Sequence, residues 1–213
     1  MTLKFHLRDR NEGMVEAWRA VFRNHADFTI SQGDIFAEDV PAADAIVSPA
    51  NSFGFMNGGI DLVYSEYFGW DLESRLRHHI EGFHDGLLPV GQATIVETKH
   101  ERFPLLISAP TMTIPMNIEG TINAFLAFRA VIRVVNKYNK GLANNYEYGH
   151  PPGSKPIETI LCPGLGTAIG KLPYMTAAIQ MNEAWHACQI KPLEFEDLNE
   201  AWNYHTRLRK GLT

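Results

Sequence analysis

Two glycine-rich loops, each following an apolar run and leading toward a helical pattern, hold the residues whose types and spacing could do chemistry. The first, NSFGFMNGGID, sets Asn51 just after the run AIVS, with Asn57, Gly58, Gly59 and Ile60 ahead of Asp61 at a helix start. A carboxylate in such a loop repels phosphate, so Asp61 suits polarising a water or accepting a hydrogen bond from a sugar hydroxyl. Asn51 has a donor and an acceptor on one short side chain, which suits a ribose hydroxyl. The plainer readings are a helix cap for Asp61 and a turn residue for Asn51. The second loop, PGLGTAIGK, carries Gly164, Gly166 and Gly170 between the run Ile157 to Cys162 and a helix opened by Pro173. Glycines let a backbone approach phosphate closely and turn its N–H groups inward. The spacing has one residue too many for a dinucleotide fingerprint, and the nearest acidic candidate, Glu183, lies mid-helix. A tight strand-to-helix turn is the plainer alternative here too.

The rest of the chain supplies the elements that must position these loops. Asp9 followed by Glu12 predicts a capping-box helix start, with Met14, Val15, Trp18, Val21 and Phe22 facing a core. Phe28 to Ile30, Ala43 to Val47, Ala93 to Glu97, Pro104 to Ala109 and Ile157 to Cys162 read as strands. Between them fall helices led by Ile60, from Trp70 to Ile80, from Thr121 to Tyr138, after Pro173, and around Leu198 to Leu208. Their Trp and Phe residues at helical spacing are read as core. Asn139 to Pro156, polar and rich in Gly, Asn and Pro, is a surface excursion. Strands alternating with helices predict an α/β domain, its mixed, mostly parallel sheet covered on both faces. Ligands in such sheets sit beyond the carboxyl ends of the strands, where both glycine loops emerge.

Composition narrows the classes. The 213 residues carry 19 basic and 24 acidic side chains, a net charge of −5, which argues against general nucleic-acid binding. No apolar run approaches the roughly 18 residues of a membrane span. The N-terminus lacks a secretion signal, and two cysteines, Cys162 and Cys188, allow no disulfide framework, so a cytoplasmic location is expected. His78, His79, His84 and Asp85 are read as a solvated face, since adjacent helix residues diverge, and no metal site is expected. Cys162, ending an apolar strand with no local base, is read as inert core rather than a nucleophile.

Five segments in order, GDI (Gly33 to Ile35), DAIVSPAN (Asp44 to Asn51), NGGID (Asn57 to Asp61), PVGQA (Pro89 to Ala93) and PGLGTAIGKLP (Pro163 to Pro173), resemble the GDIT, DAIVNAAN, GGGVD, PTGEA and PAISTGVYGFP segments of the macrodomain family. The resemblance spans about residues 28–188, leaving a C-terminal extension, 189–213, within one macrodomain-like domain. It implies a three-layer α/β/α fold that binds ADP-ribose or an ADP-ribosylated substrate and needs no further cofactor. By this likeness Asp34 accepts from the adenine amino group, with the Ile35 backbone beside it. Asn57, Gly58, Gly59 and Ile60 line one side of the diphosphate and distal ribose, and Gly164, Gly166, Thr167, Ala168, Ile169 and Gly170 the other. In the MacroD-type hydrolases an Asn and an Asp ten positions apart serve removal of ADP-ribose, and Asn51 and Asp61 keep that separation. Their expected roles are to orient the distal ribose and to position the attacking water.

The departures matter equally. The family's loop aromatic aligns with Gly170, its preceding glycine with Ala168, the first of its glycine run with Asn57, and NAAN reads SPAN with Ser48 and Pro49. A lost aromatic removes area that holds the sugar in a reactive pose, and a misplacement of about 1 Å costs about a hundredfold in rate. Phe53, Phe55 and Tyr64 are candidates to fill the gap. Hydrolysis of an ADP-ribosyl linkage is the leading expectation. A non-catalytic reader, a phosphatase acting on ADP-ribose 1''-phosphate, and a partner-binding domain with a degenerate pocket are the alternatives.

Overall fold

The computed structural model describes residues 3–49, 51–143 and 154–212. In chain order the elements are β1 (Lys4–Asp9), α1 (Glu12–Phe22), β2 (Phe28–Gln32), β3 (Ala45–Ser48), α2 (Gly59–Phe68) and α3 (Asp71–His84). There follow β4 (Thr94–Glu97), β5 (Leu105–Ser108), α4 (Asn123–Ala143), β6 (Thr159–Cys162), α5 (Tyr174–Gln189) and α6 (Leu198–Lys210). The strands form one six-stranded sheet in the order β2-β1-β6-β3-β5-β4, with β4 antiparallel to β5 and every other pairing parallel.

Side chains alternate across the strands, so each strand feeds two cores. Phe5, Leu7, Ala45, Val47, Ile107, Ile160 and Cys162 face a core shared with α1, α4 and α5. Ile46, Leu106, Leu161 and Val96 face the other, closed by Tyr64 of α2 and Leu72, Leu76 and Ile80 of α3. The two cores on opposite sides of one sheet are the expected three-layer α/β/α arrangement. This burial on both faces explains why Ala45 to Val47 is apolar throughout rather than alternating.

Two expectations need correction, and one element escaped the sequence reading: Lys4–Asp9 is a strand, paired between β2 and β6 ahead of α1. Asp9 ends that strand, and the cap of α1 is Asn11, whose side chain accepts from the Gly13 N–H at 2.9 Å. The amphipathic reading of α6 holds for Leu208, which is buried, but Trp202 is 69% exposed and Leu198 81%, so neither is core. Helix α6 is tied down at its far end: Gln180 Nε2 donates to the carbonyls of Thr121 and Leu208, and Arg209 Nε donates to the Gly120 carbonyl. Most of the excursion from Asn139 to Pro156 lies outside the described residues. No helix among the described residues is long and apolar enough to cross a membrane.

Candidate functional site

The ends of β1, β3 and β6 are parallel neighbours, so the loops leaving them converge. They enclose a cleft of about 460 Å³, within the usual range for small-molecule sites. The residues singled out from the sequence all line this cleft: Asp34 and Ile35 at one end, Asn51 and Asn57 to Asp61 on one wall, and Gly164 with Gly166 to Gly170 on the other.

The walls differ in what they present. Among the described residues no hydrogen bond is donated by the backbone N–H groups of residues 166–170. Gly164 is different, because its N–H donates to Asp9 Oδ2 at 3.1 Å and is already spent. The Leu172 N–H donates to the Gly166 carbonyl and the Ile118 N–H to that of Gly170, which pins the loop so that 166–170 keep their shape. On the other wall α2 begins at Gly59 with Gly58 as its cap residue, and no side chain caps it. An uncapped helix start leaves N–H groups and the positive dipole end free toward the cleft. A row of unspent amides on one side and a helix start on the other suits a diphosphate.

Asp61 lies in the first turn of α2, so it is not the cap of that helix. It is 7% exposed, and Ser48 Oγ donates to its Oδ1 at 2.6 Å. Burial pushes its carboxyl up to about 7, against the opposing pull of the Ser48 hydrogen bond. A carboxyl that changes charge near neutral pH and lines a cleft is suited to taking and giving a proton.

Asn51 reaches the cleft with much of its side chain already engaged. Its Nδ2 donates to the Phe55 carbonyl at 2.8 Å, and its Oδ1 accepts from the N–H groups of Phe53 and Phe55. The turn-residue reading therefore describes most of its bonding, and one Nδ2 hydrogen stays uncommitted. Asn51→Ala should lower the urea-unfolding free energy by about 1–3 kcal/mol, because it leaves loop backbone groups unpaired. Unchanged stability would show that the loop holds itself.

Asp34 is also partly engaged, accepting from the Phe36 N–H at 2.8 Å and pairing with Arg10. Arg8 is buried, reaching the Asp34 carbonyl at 2.7 Å, Ser31 at 2.8 Å and the Asp39 carboxylate at 2.8 Å. This buried guanidinium fixes the turn after β2 against β1. Arg8, Asp9, Arg10 and Asn11 line the cleft, as do Thr111, Met112, Pro115 and Tyr174, none of them proposed as a site residue from sequence. Recognising Lys4–Asp9 as a parallel strand would have found the first four, since the residues at its carboxyl end must border the cleft.

Of the aromatics proposed to replace the missing one, Phe55 lines the cleft, with the Arg77 guanidinium 4.3 Å from its ring. Tyr64 is buried and donates to the Val47 carbonyl. At Gly170 a Cβ would stand 2.4 Å from the Gly166 carbonyl oxygen and 2.7 Å from Ile118 Cγ1. The Ile118 side chain thus fills the space that any side chain at 170 would need. Cys162 is buried and its thiol is pushed well up by that burial, which suits inert core.

Comparisons with known proteins point the same way. Residues 8–112 match the family model of the macro-like domain. An uncharacterized protein of Aquifex aeolicus is 28% identical over 190 residues, covering 86% of this chain and 99% of its own. The macrodomain of Mycobacterium tuberculosis DarG superposes with a TM-score of 0.56 at 18% identity, over 76% of this chain and 93% of that one. A mutant Oceanobacillus iheyensis macrodomain solved with ADP-ribose superposes with a TM-score of 0.54 at 16% identity, over 71% of this chain and 72% of that one. The match over residues 8–112 and the superposition over three quarters of the chain agree: the chain has the macrodomain fold.

Proposed function

We propose that this protein binds ADP-ribose in the cleft and hydrolyses the linkage between the distal ribose and an attached group. The observation carrying the reading is the convergence of the free amides of 166–170, the uncapped start of α2 and the buried Asp61 on one cleft. The Oceanobacillus iheyensis relative was solved with ADP-ribose, which supports the choice of ligand.

In this reading the diphosphate lies between the two walls, and adenosine extends toward Asp34 and Ile35. Asp34 keeps acceptor capacity for the adenine amino group beside its bonds to Phe36 and Arg10. Asn51 shapes its own loop and offers its remaining Nδ2 hydrogen to the distal ribose. Asp61 accepts a proton from a water that attacks the anomeric carbon. The carbon–adduct bond breaks, the electron pair leaves with the adduct, and Asp61 returns the proton to it, giving free ADP-ribose and the protonated adduct. Phe55 takes the place of the missing loop aromatic as an apolar wall.

Calorimetry with ADP-ribose tests binding, and incubation with an ADP-ribosylated protein or oligonucleotide tests turnover through released ADP-ribose. Heat with no release would make the protein a reader, the alternative favoured by the absence of an aromatic at Gly170. Release of inorganic phosphate from ADP-ribose 1''-phosphate would make it a phosphatase. If Asp61 is the base, turnover should rise with pH through about 7 and level off above it, because only the carboxylate accepts a proton. A rate flat from pH 5 to 8 would exclude Asp61 as the titrating group.

A further inference from the structure

We infer that Ser48 is the positioning residue for Asp61, holding its carboxyl in one orientation toward the cleft; this rests on the reading of Asp61 as the proton-transferring group. Ser48 closes β3 with its side chain wholly buried, and Asp61 stands above it in the first turn of α2. The 2.6 Å bond from Ser48 Oγ to Oδ1 is the only hydrogen bond to the Asp61 side chain among the described residues. Oδ1 is held by Ser48, and Oδ2 has no hydrogen bond among the described residues at the edge of the cleft that Asp61 lines. A carboxylate turns about its last bond unless one oxygen is held, and an oxygen held by a buried hydroxyl leaves the other in a fixed place.

The position is informative because it is where this chain departs from its resemblance: SPAN stands in place of NAAN. The hydroxyl of Ser48 is short enough to meet a carboxylate seated over the strand end, and buried enough that water cannot replace it. Among the described residues no other group bonds the Asp61 side chain. Tyr64, three residues further along α2, spends its hydroxyl on the Val47 carbonyl. Asp9, at the end of β1, accepts from the N–H groups of Asn11 and Gly164. Cys162, at the end of β6, donates to the Pro163 carbonyl. Arg8 and Arg10 are committed to Asp39 and Asp34. Ser108, register partner of Ser48 on β5, is an equally buried hydroxyl, and among the described residues it has no hydrogen-bond partner.

A hydrogen bond to the ionised form stabilises that form, so removing it makes the carboxyl harder to ionise. Titrating the Asp61 carboxyl carbon by NMR should show its midpoint moving up by about one to two pH units in Ser48→Ala. Ser48→Cys, with a thiol that donates weakly, should move it the same way by less. Ser108→Ala, which removes a buried hydroxyl from the same sheet face, should leave it in place. The acid limb of turnover should follow the carboxyl midpoint in both Ser48 variants, with ADP-ribose affinity held within a few-fold. An unchanged midpoint in Ser48→Ala, or an equal movement in Ser108→Ala, would overturn the inference. The carboxyl titration needs no turnover, so a protein that binds without hydrolysing still decides the role of Ser48.

Discussion

Asp61→Asn should reduce release of ADP-ribose by about a hundredfold to ten-thousandfold, the usual contribution of a positioned proton-transfer group. Affinity for ADP-ribose should stay within a few-fold, since the amide keeps the shape of the carboxyl and still accepts from Ser48. The same variant should change stability in a pH-dependent way. Burial raises the Asp61 carboxyl from 3.8 to about 7, so between these values the folded protein holds a proton that the unfolded chain has released. The contribution of Asp61 to stability is therefore complete below about pH 4, falls as pH rises toward 7, and is gone above it. The difference is on the order of a few kcal/mol. Asp61→Asn has no such loss, so it should melt above the parent at pH 8 and close to it at pH 4. Slower turnover together with greater stability is the signature of a strained functional group. A variant that loses turnover but melts lower at pH 8 would show Asp61 to be a structural residue.

Gly170→Val should weaken ADP-ribose binding at least tenfold while the secondary structure, followed by circular dichroism, remains. The crowding is specific. The Gly166 carbonyl oxygen lies 2.4 Å from where the first side-chain carbon would be, and Ile118 Cγ1 lies 2.7 Å away. The carbonyl cannot yield easily, because it accepts from the Leu172 N–H, and the Gly170 carbonyl accepts from the Ile118 N–H. Relief must come from moving the loop, and the amides of 166–170 move with it. A displacement of about 1 Å across several amides disrupts a preorganised anion cradle far more than it disturbs the sheet behind it. Undiminished affinity in Gly170→Val would mean that this loop does not hold the ligand. Ile118→Ala provides the complement, because it opens the space beside Gly170 without touching the loop itself. The 2.4 Å contact with the Gly166 carbonyl remains in the double variant, so affinity should stay low there, and full recovery would place the fault at Ile118 instead.

How much of this was legible in the sequence depended on the range of the interactions involved. The glycine loops, and the strands and helices that flank them, are short-range features. Ala43 to Val47 reads as a buried strand from its own composition, and the loop residues follow from where that strand must stop. The strand Lys4–Asp9 was not legible, because His6 and Arg8 interrupt its apolar pattern. Their partners, Ser31 for His6 and Ser31, Asp34 and Asp39 for Arg8, lie more than 20 residues away. Arg8 is buried and His6 half-buried by those distant contacts, and no local rule anticipates them.

Asn51 illustrates a different limit. Its type and its distance from Asp61 were readable, but the bonds it makes to Phe53 and Phe55 depend on how the loop turns back. Ser48 is similar. The sequence shows that it differs from the family pattern, and only the placement of α2 over the end of β3 shows what the hydroxyl meets. Trp202 shows the converse, since helical spacing suggested core and among the described residues it stands exposed on the outward face of α6.

The most direct test of the account is amide NMR during titration with ADP-ribose. Saturable shifts are expected in Gly59, Ile60 and Gly166 to Gly170, with the Trp202 region of α6 unmoved. Shifts confined to other surfaces, or none at millimolar ADP-ribose, would contradict it.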